Sequence, residues 1–441
     1  MSNANTIYAL SSGSLPSGVA VIRISGPQSA LAISELCGRL PPPRRASLQS
    51  IRNRNGEVLD EGIVLYFPAP KSFTGEDSAE LQVHGGRASV KAVLAVLDAV
   101  PGLRPAEAGE FSRRAFLNGR MDLTEVEGLA DLIAAETEMQ RRLAAEQASG
   151  GLSRVYDSWS KRLTHARAMI EAELDFADED DVPGSVAATI WEDMRALEQE
   201  ILNHVSGARL GEIVRDGLKV VIAGPPNAGK SSLLNHLAKR DIAIVTDVPG
   251  TTRDVLHVDL DLSGFAVRLY DTAGLRETED IVEQEGIRRT QLSMAQAHLL
   301  LLLSEATEPD WQALAGSYQG PIIRVRTKAD TLKQPLPKDE ADVTISVKSG
   351  EGVADLLDNL GCHLPDLEAG SALALPTRQR HSLNLVVARE QILLALDAAT
   401  AGLDIQAEHL RLAGQALGRV TGRVDVENLL DVIFSEFCIG K

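Results

Sequence analysis

The stretch from Gly224 to Ser231, "GPPNAGKS", has the residue types needed to hold a chain of phosphates. Its glycines let the backbone turn tightly, so that N–H groups can point at phosphate oxygens. The apolar run "KVVIA" precedes it and the helical pattern "SSLLNHLAKR" follows, which is the strand and helix context that a P-loop requires. Lys230 is predicted to reach the β- and γ-phosphates and Ser231 to bind Mg²⁺, whereas a simple glycine turn is the alternative. The predicted nucleotide contacts of this loop are Asn227, Ala228, Gly229, Lys230, Ser231 and Ser232.

Two shorter motifs follow in the order expected of a GTP-binding domain. The motif "DTAG" ends a strand-like run, so that Asp271 can hold Mg²⁺ through water and Gly274 can sense the γ-phosphate. The motif "PGTTRD" lies between it and the P-loop, where a mobile loop can bring Thr252 to the metal. Each motif alone would indicate only a turn, but the order after a P-loop favours nucleotide binding. The predicted contacts are Thr252, Asp271, Thr272, Ala273 and Gly274.

The choice of base is predicted from "TKAD", residues 327–330. Asp330 can accept hydrogen bonds from N1–H and the 2-amino group of guanine, a pair of donors that adenine lacks, and the stem of Lys328 can pack over the ring. The usual guanine signature starts with Asn, and Thr327 stands here, so we expect a modestly weakened base contact. Backbone groups of "SVKSG" complete the predicted base site, at Ser346, Val347 and Lys348. The substrate is therefore predicted to be GTP.

Hydrophobic periodicity divides the chain into three regions. Strand-like segments ("GVAVIRISG", "EGIVLYF" and "SAELQVHGG") and helical patterns alternate up to about residue 118, which predicts an α+β domain at 1–118. Helical patterns, which Asp122 or Thr124 could cap, fill 119–215 and return at 366–441. Between them, strands alternate with helices, as is typical of an α/β nucleotide-binding domain with a mostly parallel sheet. The prediction is a helical domain interrupted by a Ras-like P-loop GTPase domain at 216–365.

Composition narrows the functional classes. The chain of 441 residues is too long for one core, and its formal charge of −18 argues against a generally basic surface for nucleic acid. Basic residues gather only locally, at 41–55 and in "SRRAF" at 112–116, where they could contact RNA phosphates. Three widely spaced cysteines, Cys37, Cys362 and Cys438, favour a reducing cytoplasmic location. We expect neither a signal peptide nor a membrane span, since the apolar run "AHLLLLLS" is too short for a bilayer.

These motifs together resemble the tRNA modification GTPase MnmE (TrmE) family. The resemblance covers essentially the whole chain in the same order and rests on "GVAVIRISGP", "SFTGEDSAELQVHGG", "GEFSRRAFLNGRMDLTEVEGLADLI", "GPPNAGKSSLLN", "AIVTDVPGTTRDV", "DTAGLRE" and "FCIGK". It implies an N-terminal domain that forms a homodimer and binds a tetrahydrofolate derivative, in the 5-formyl or 5,10-methylene form. It also implies a heterotetramer with the FAD-binding protein MnmG, which modifies C5 of the wobble uridine of tRNA to aminomethyl or carboxymethylaminomethyl forms.

The resemblance further implies a potassium site. Its expected ligands, in a family that is K⁺-stimulated, are Asn227, Thr246, Val248 and Thr251. The cation would supply the positive charge that an arginine finger gives elsewhere. Leu275 follows "DTAG" at the position where Ras-type enzymes have a water-orienting glutamine, and Glu283 matches the family residue that orients the water instead. A solvated surface acid is the alternative for Glu283.

For folate, the matching positions are Arg23, Glu80, Arg120 and Lys441. Arg120 replaces a family lysine, and "SSGSLPSG" replaces a Pro-Pro-Gly-Arg-Gly-Gly loop, so details of the contacts differ. Cys438, in "FCIGK", is the candidate catalytic thiol, for which an inert buried cysteine or a disordered tail is the alternative.

Two other functional classes remain open at this stage. A regulatory or ribosome-assembly GTPase, acting as a nucleotide-gated binding module, would need the same G domain. A folate-dependent transferase acting alone, with a purely regulatory GTPase, would need the same N-terminal region. The sequence contains no flavin-binding GxGxxG unit, so flavin chemistry would depend on a partner.

Overall fold

The computed structural model describes most of the chain and divides it into two compact units. Described are residues 5–175, 185–240, 242–244, 257–271, 296–305, 309–331, 341–366, 373–398 and 402–424, with Leu430, Ile433, Phe434, Phe437 and Gly440. The first unit comprises Met1–Ala130, Ser153–Met194 and Glu390–Lys441, and the second comprises Asp131–Leu152 and Arg195–Arg389. The domain boundaries given above remain predictions.

Twelve strands and thirteen helices are described. The strands are β1 (Thr6–Leu10), β2 (Ser17–Ser25), β3 (Ser47–Arg52), β4 (Val58–Phe67), β5 (Ser78–Gly85), β6 (Leu103–Pro105), β7 (Leu218–Ala223), β8 (His257–Leu262), β9 (Phe265–Asp271), β10 (Leu299–Ser304), β11 (Ile322–Arg326) and β12 (Val343–Thr344). The helices are α1 (Ser29–Cys37), α2 (Arg87–Asp98), α3 (Glu110–Leu117), α4 (Leu123–Ala134), α5 (Glu138–Ala148), α6 (Gly151–Asp175), α7 (Ser185–Ser206), α8 (Ala208–Asp216), α9 (Lys230–Leu237), α10 (Trp311–Ala315), α11 (Val353–Gly361), α12 (Gln379–Asp397) and α13 (Leu403–Thr421).

The N-terminal sheet has the order β3-β4-β5-β2-β1-β6 and is antiparallel except where β1 meets β6. Side chains alternate between its faces because successive residues of a strand point in opposite directions. Ala20, Ile22 and Ile24 of β2 are fully buried in a core shared with α1 and α2. The opposite face of the same sheet therefore carries the alternate residues, Arg23 of β2 and Glu80 of β5, which pair directly across the strands. The predicted α+β character of this region is confirmed.

The helical pattern after residue 118 forms three helices, α4, α5 and α6. Asp122 accepts a hydrogen bond from the Glu125 N–H (3.0 Å), and the Glu125 carboxylate accepts from the Asp122 N–H (2.7 Å). This reciprocal capping box starts α4, so of the two predicted caps Asp122 performs the role. Thr137 and Gln140 form a second capping box at α5, and Gly150, with φ +83°, follows that helix before α6.

The second sheet has the order β12-β11-β10-β7-β9-β8 and is parallel except for the β8–β9 pair. Every residue of β10, "LLLLLS", is buried. A continuous apolar strand fits a sheet that is covered on both faces. One face packs against Leu233 of α9 and Leu356 of α11, and the other against Ala315 of α10. The predicted mostly parallel α/β sheet is confirmed.

None of the described helices is both long and apolar enough to cross a bilayer.

Replacing Leu301 by alanine tests the role of β10 as the centre of this core. Leu301 is fully buried, so the cavity left by Leu301→Ala should lower the free energy of unfolding by about 2–5 kcal/mol. The measurement is the urea-induced unfolding transition of the unit that contains the second sheet. The control is Leu383→Ala, at a leucine that is 58% exposed, which should change stability by less than about 0.5 kcal/mol. Equal losses in the two variants would contradict the packing described here.

Candidate active site

The predicted phosphate loop lies between β7 and α9, and two glycines determine its path. Gly224 has φ +155°, and a Cβ at this position would lie 2.2 Å from the Leu303 carbonyl oxygen of the neighbouring strand. Gly229 has φ +92° and immediately precedes α9. Both positions favour glycine, because other side chains rarely adopt such backbone angles. The loop therefore closes tightly against β10 and presents the start of α9.

Lys230 points its ammonium group into this loop. The side chain is 8% exposed, and Nζ donates hydrogen bonds to the carbonyl oxygens of Gly224 (2.8 Å) and Pro225 (2.9 Å). A buried cation at the N-terminus of a helix creates positive potential, which suits a polyphosphate. Asn227, with φ +65°, lies exposed on the rim of the same loop.

Ser231 and Asp271 meet at the end of the central strands. The Ser231 hydroxyl donates a hydrogen bond to Oδ2 of Asp271 (2.9 Å), whose side chain is 4% exposed. Asp271 is the last residue of β9 and pairs with Ile222 of β7, directly before the phosphate loop. A hydroxyl and a carboxylate beside a phosphate loop are hard oxygen ligands of the kind that Mg²⁺ prefers, so the residues present fit that ion.

The predicted base-binding residues lie together at the ends of β11 and β12. Ser346, which is fully buried, donates a hydrogen bond from Oγ to Oδ1 of Asp330 (2.8 Å). The Ala329 N–H donates to the Ile345 carbonyl (3.1 Å), and the Thr327 N–H donates to Ser304 at the end of β10 (2.9 Å). These bonds fix the carboxylate of Asp330 and leave Oδ2 to accept from a base.

Thr327 and Lys328 depart from the usual arrangement of this loop. The Thr327 side chain is buried, and Oγ1 has no hydrogen-bond partner among the described residues. The bracing bond that an asparagine would make is therefore not replaced by this hydroxyl. Lys328 has φ +58° and forms an ion pair with Glu305, a contact that the sequence analysis did not predict.

Ten predicted site residues lie outside the described residues. They are Thr246, Val248, Thr251, Thr252, Thr272, Ala273, Gly274, Glu283, Cys438 and Lys441.

A second candidate site surrounds Arg23 in the N-terminal sheet. Arg23 donates two hydrogen bonds to Oε1 of Glu80, from Nε (3.1 Å) and Nη2 (3.0 Å). Its guanidinium carbon also lies 5.2 Å from the ring centre of Phe73 and 5.8 Å from that of Phe111, within range of cation–π attraction. The two phenylalanines were not identified from the sequence, although Phe73 lies in the quoted "SFTGED" segment.

The loop between β4 and β5 connects Arg23 with Arg120. Phe73 contacts Arg23, while a Cβ at Gly75 would lie only 3.1 Å from Cγ of Arg120, so Arg120 lies against this loop. The Thr74 carbonyl accepts a hydrogen bond from Asn118 Nδ2 (2.7 Å). The predicted folate residues Arg23, Glu80 and Arg120 thus lie on or beside one loop.

The buried side chain of Arg114 is bonded to Glu76 of this loop. Its side chain is 1% exposed and donates to Glu76 (3.0 Å) and Glu110 (2.9 Å). Burial by itself raises the pKa of Glu110, but the hydrogen bonds from Arg104, the Glu107 N–H and Arg114 outweigh it and lower that pKa. The expectation that "SRRAF" offers its arginines to RNA is therefore wrong for Arg114, which lies inside a buried ion network.

Gly440, in the C-terminal segment, lies at the end of β1 in the N-terminal sheet. The Ser11 hydroxyl donates to the Gly440 carbonyl (2.6 Å), and a Cβ at Gly440 would lie 2.3 Å from the Leu10 carbonyl oxygen. Leu10 follows Ala9, which pairs with Arg23 across the β1–β2 ladder. Phe434 and Phe437 hold this segment in a small apolar cluster with Leu123 and neighbouring side chains.

Two models of known protein families match this chain. Residues 6–120 match the model for the GTP-binding protein TrmE N-terminus, and residues 123–438 match that for the MnmE helical domain. A protein named tRNA modification GTPase MnmE from Rhizobium meliloti (strain 1021) is 64% identical over 100% of both chains. Its namesake from Sinorhizobium medicae (strain WSM419) is 62% identical, also over 100% of both chains. The chain belongs to the MnmE family. It is thus a GTPase, and its family uses GTP and Mg²⁺.

Among solved structures, the chain is similar to the G domain of the FeoB iron transporter of T. maritima. The two are 24% identical over a region that covers 34% of this chain and 99% of the FeoB chain. Its TM-score of 0.26 is too low to support an argument.

Replacing Lys230 by alanine tests the phosphate site of this MnmE-family chain. Loss of the buried ammonium should lower the rate of GTP hydrolysis by about 10²–10³-fold, since a cation aimed at developing phosphate charge is removed. The measurement is phosphate release at saturating GTP. Lys239→Ala is the matched control, because Lys239 is an exposed lysine just beyond α9 and should leave the rate within about twofold. A Lys230→Ala protein as active as this control would contradict the assignment.

Proposed function

We propose that this chain is a potassium-activated GTP hydrolase of the tRNA-modifying machinery. With the FAD-dependent partner MnmG, it installs an aminomethyl or carboxymethylaminomethyl group at C5 of the wobble uridine of certain tRNAs. The carbon comes from a tetrahydrofolate derivative, in the 5-formyl or 5,10-methylene form. The observation that supports this most is that one chain of the MnmE family carries both a phosphate loop and an Arg23–Glu80 ion pair on β2 and β5, with Gly440 at the end of the neighbouring strand β1.

The geometry of the second sheet supports the proposed nucleotide roles. Lys230, whose ammonium group lies in the loop, would contact the β- and γ-phosphates, and Ser231 and Asp271, which are hydrogen-bonded to each other, would hold Mg²⁺. Asp330, positioned by Ser346, accepts from the guanine N1–H and 2-amino group through its remaining oxygen. Ala228, Gly229 and Ser232 of the loop, with Thr252, Thr272, Ala273, Gly274, Thr327, Lys328, Val347 and Lys348, complete the proposed contacts.

Potassium is proposed to bind beside the phosphate loop. Asn227 lies exposed on the loop rim, and its amide oxygen is a hard ligand of the type that alkali cations take. Thr246, Val248 and Thr251 are the other proposed ligands. When bound, K⁺ would add positive charge next to the departing phosphate. Glu283 is the proposed water-positioning residue, in place of the glutamine of Ras-type enzymes.

The chemistry of the Arg23 site suits a pterin. A pterin ring presents an N3–H and a 2-amino group side by side, the same donor pair that guanine presents to Asp330. Both hydrogen bonds from Arg23 go to Oε1 of Glu80, so Oε2 can accept from such a ligand. Phe73, which is 36% exposed, offers a flat apolar surface beside it. Arg120 and Lys441 are proposed to bind the carboxylates of the folate tail.

The proposed homodimer uses the N-terminal domain. Helices α1 and α2 pack on one face of the first sheet, whereas Val19 (58% exposed) and Ile63 (38% exposed) lie on the other. Exposed aliphatic side chains on a sheet are a usual feature of a surface that another subunit covers. MnmG is proposed to join two such chains in a heterotetramer and to supply the flavin.

The potassium proposal predicts a cation-specific rate. GTP turnover should rise many-fold when Na⁺ is replaced by K⁺ at equal ionic strength, because Na⁺ is smaller and would fit a cage of the same oxygens poorly. Phosphate release in matched chloride salts measures it. Equal rates in the two salts would remove potassium from the mechanism while leaving the GTPase assignment intact.

Wobble modification can be tested in cells that lack this protein. Mass spectrometry of tRNA nucleosides should show the loss of the C5 aminomethyl-type groups, and the wild-type chain should restore them. Cys438→Ser should fail to restore modification while hydrolysing GTP at a nearly unchanged rate, since the thiol lies in "FCIGK" and not in the nucleotide site. Cys37→Ser, at a partly buried cysteine of α1, should restore modification fully.

Unaltered wobble nucleosides in the deletion strain would overturn the proposed function and favour a regulatory GTPase. Full restoration by Cys438→Ser would instead refute only the role of the thiol.

A further inference from the structure

One segment of this acidic chain is strongly basic. Residues 36–56 contain five arginines and no Asp or Glu, although the chain as a whole has a formal charge of −18. All five side chains are exposed, and they are Arg39, Arg44, Arg45, Arg52 and Arg54. Charges beyond about 8 Å are largely screened at physiological salt, so this local excess, more than the total charge, determines what binds here.

The arginines follow a free edge of the N-terminal sheet. β3 is the outermost strand next to β4, so one of its sides is unpaired among the described residues. Arg44 and Arg45 precede this strand and Arg52 ends it. Six residues at about 3.3 Å each separate the two groups by about 20 Å. This row of cations, residues 39–54, is named here the arginine edge.

Several other arginines of the first unit are paired with carboxylates. Arg23, Arg104 and Arg114 each contact a carboxylate at 3.0 Å or less. Within the described part of the chain, no carboxylate lies within ion-pair distance of Arg44, Arg45 or Arg52. Arg44 donates a hydrogen bond to the Lys71 carbonyl, and Arg52 donates one to the Gly56 carbonyl (3.1 Å). These bonds orient the two side chains but do not compensate their positive charge.

Arg54 is only weakly compensated. Its Nη2 donates to the Ala99 carbonyl (2.6 Å), and Glu35 lies 3.7 Å away with more than a third of its side chain exposed. An exposed pair of this kind contributes little, so the arginine edge keeps nearly its full positive charge. Charged residues of either sign also protect free sheet edges from aggregation. That role alone would not require a segment that has arginines and no carboxylates.

We propose that the arginine edge binds the phosphodiester backbone of tRNA. This rests on the proposed function, which makes tRNA the substrate, and adds the surface that holds it. Guanidinium groups bind phosphates through paired N–H donors, and a row about 20 Å long matches several successive phosphates of one RNA strand. The contact is independent of base sequence, so it positions the RNA while the anticodon bases are read elsewhere.

The test compares two full-length variants in tRNA binding. One carries Arg44→Gln, Arg45→Gln, Arg52→Gln and Arg54→Gln. The control carries Arg141→Gln and Arg411→Gln, which remove exposed arginines that are paired with Glu138 and Glu408. Fluorescence anisotropy with labelled tRNA between 50 and 200 mM KCl gives the affinity and the slope of log K against log salt. GTP hydrolysis without RNA and the oligomeric state report whether each protein is folded.

The arginine-edge variant should bind at least tenfold more weakly at 100 mM salt. The magnitude of its slope should fall by about 2–4, roughly one for each phosphate that the variant no longer neutralises. The control should keep the wild-type affinity and slope.

Several outcomes would overturn the assignment. If the arginine-edge variant binds like the wild type, the surface does not hold the RNA, whatever the nucleoside analysis shows for the function. If the control is weakened as much, the binding is non-specific. If tRNA binding persists but the variant no longer associates with the flavin-containing partner, the edge is a protein-docking surface. A wild-type chain without affinity for tRNA refutes the arginine edge, and the deletion strain decides the proposed function separately.

Discussion

The hydrogen bond from Ser231 to Asp271 depends on a constraint that shapes the whole second unit: parallel strands end at the same edge of a sheet. β7 and β9 run side by side in the same direction. Ser231, in the first turn of α9, and Asp271, the last residue of β9, therefore lie within hydrogen-bond distance. The same rule brings Thr327 and Asp330 to that edge from β11. Residues up to 99 positions apart along the chain, Ser231 and Asp330, thereby lie at one edge of the sheet.

The N-terminal unit reaches a comparable result by another route. Its sheet is antiparallel except at β6. Arg23 and Glu80 meet because β2 and β5 pair directly, and Arg120 lies against the loop that joins β4 and β5. That loop is held by a buried arginine. Removing one member of this network would leave the others as uncompensated charges, so the network stabilises the position of the loop.

Local signals made much of this architecture predictable. The glycine spacing of the phosphate loop, the capping residue Asp122 and the apolar run of β10 each act within a few residues, and each prediction is confirmed. The strand β3 was missed because its segment reads as a polar basic stretch, and its edge position needs few apolar residues. The stacking of Phe73 and Phe111 on Arg23 joins residues 50 and 88 positions away, which no local pattern encodes. The buried state of Arg114 was misjudged because two adjacent arginines usually lie in solvent.

The contact between Ser11 and Gly440 spans 429 residues. A ribosome adds roughly 5–20 residues per second, so about 20–90 s separate the appearance of these two partners. The first sheet can fold early in that interval, yet the contact of Gly440 with the end of β1 forms only after residue 440 has been added. A nascent chain that stalls before residue 440 would therefore present a folded N-terminal sheet whose Ser11 hydroxyl still lacks its Gly440 acceptor.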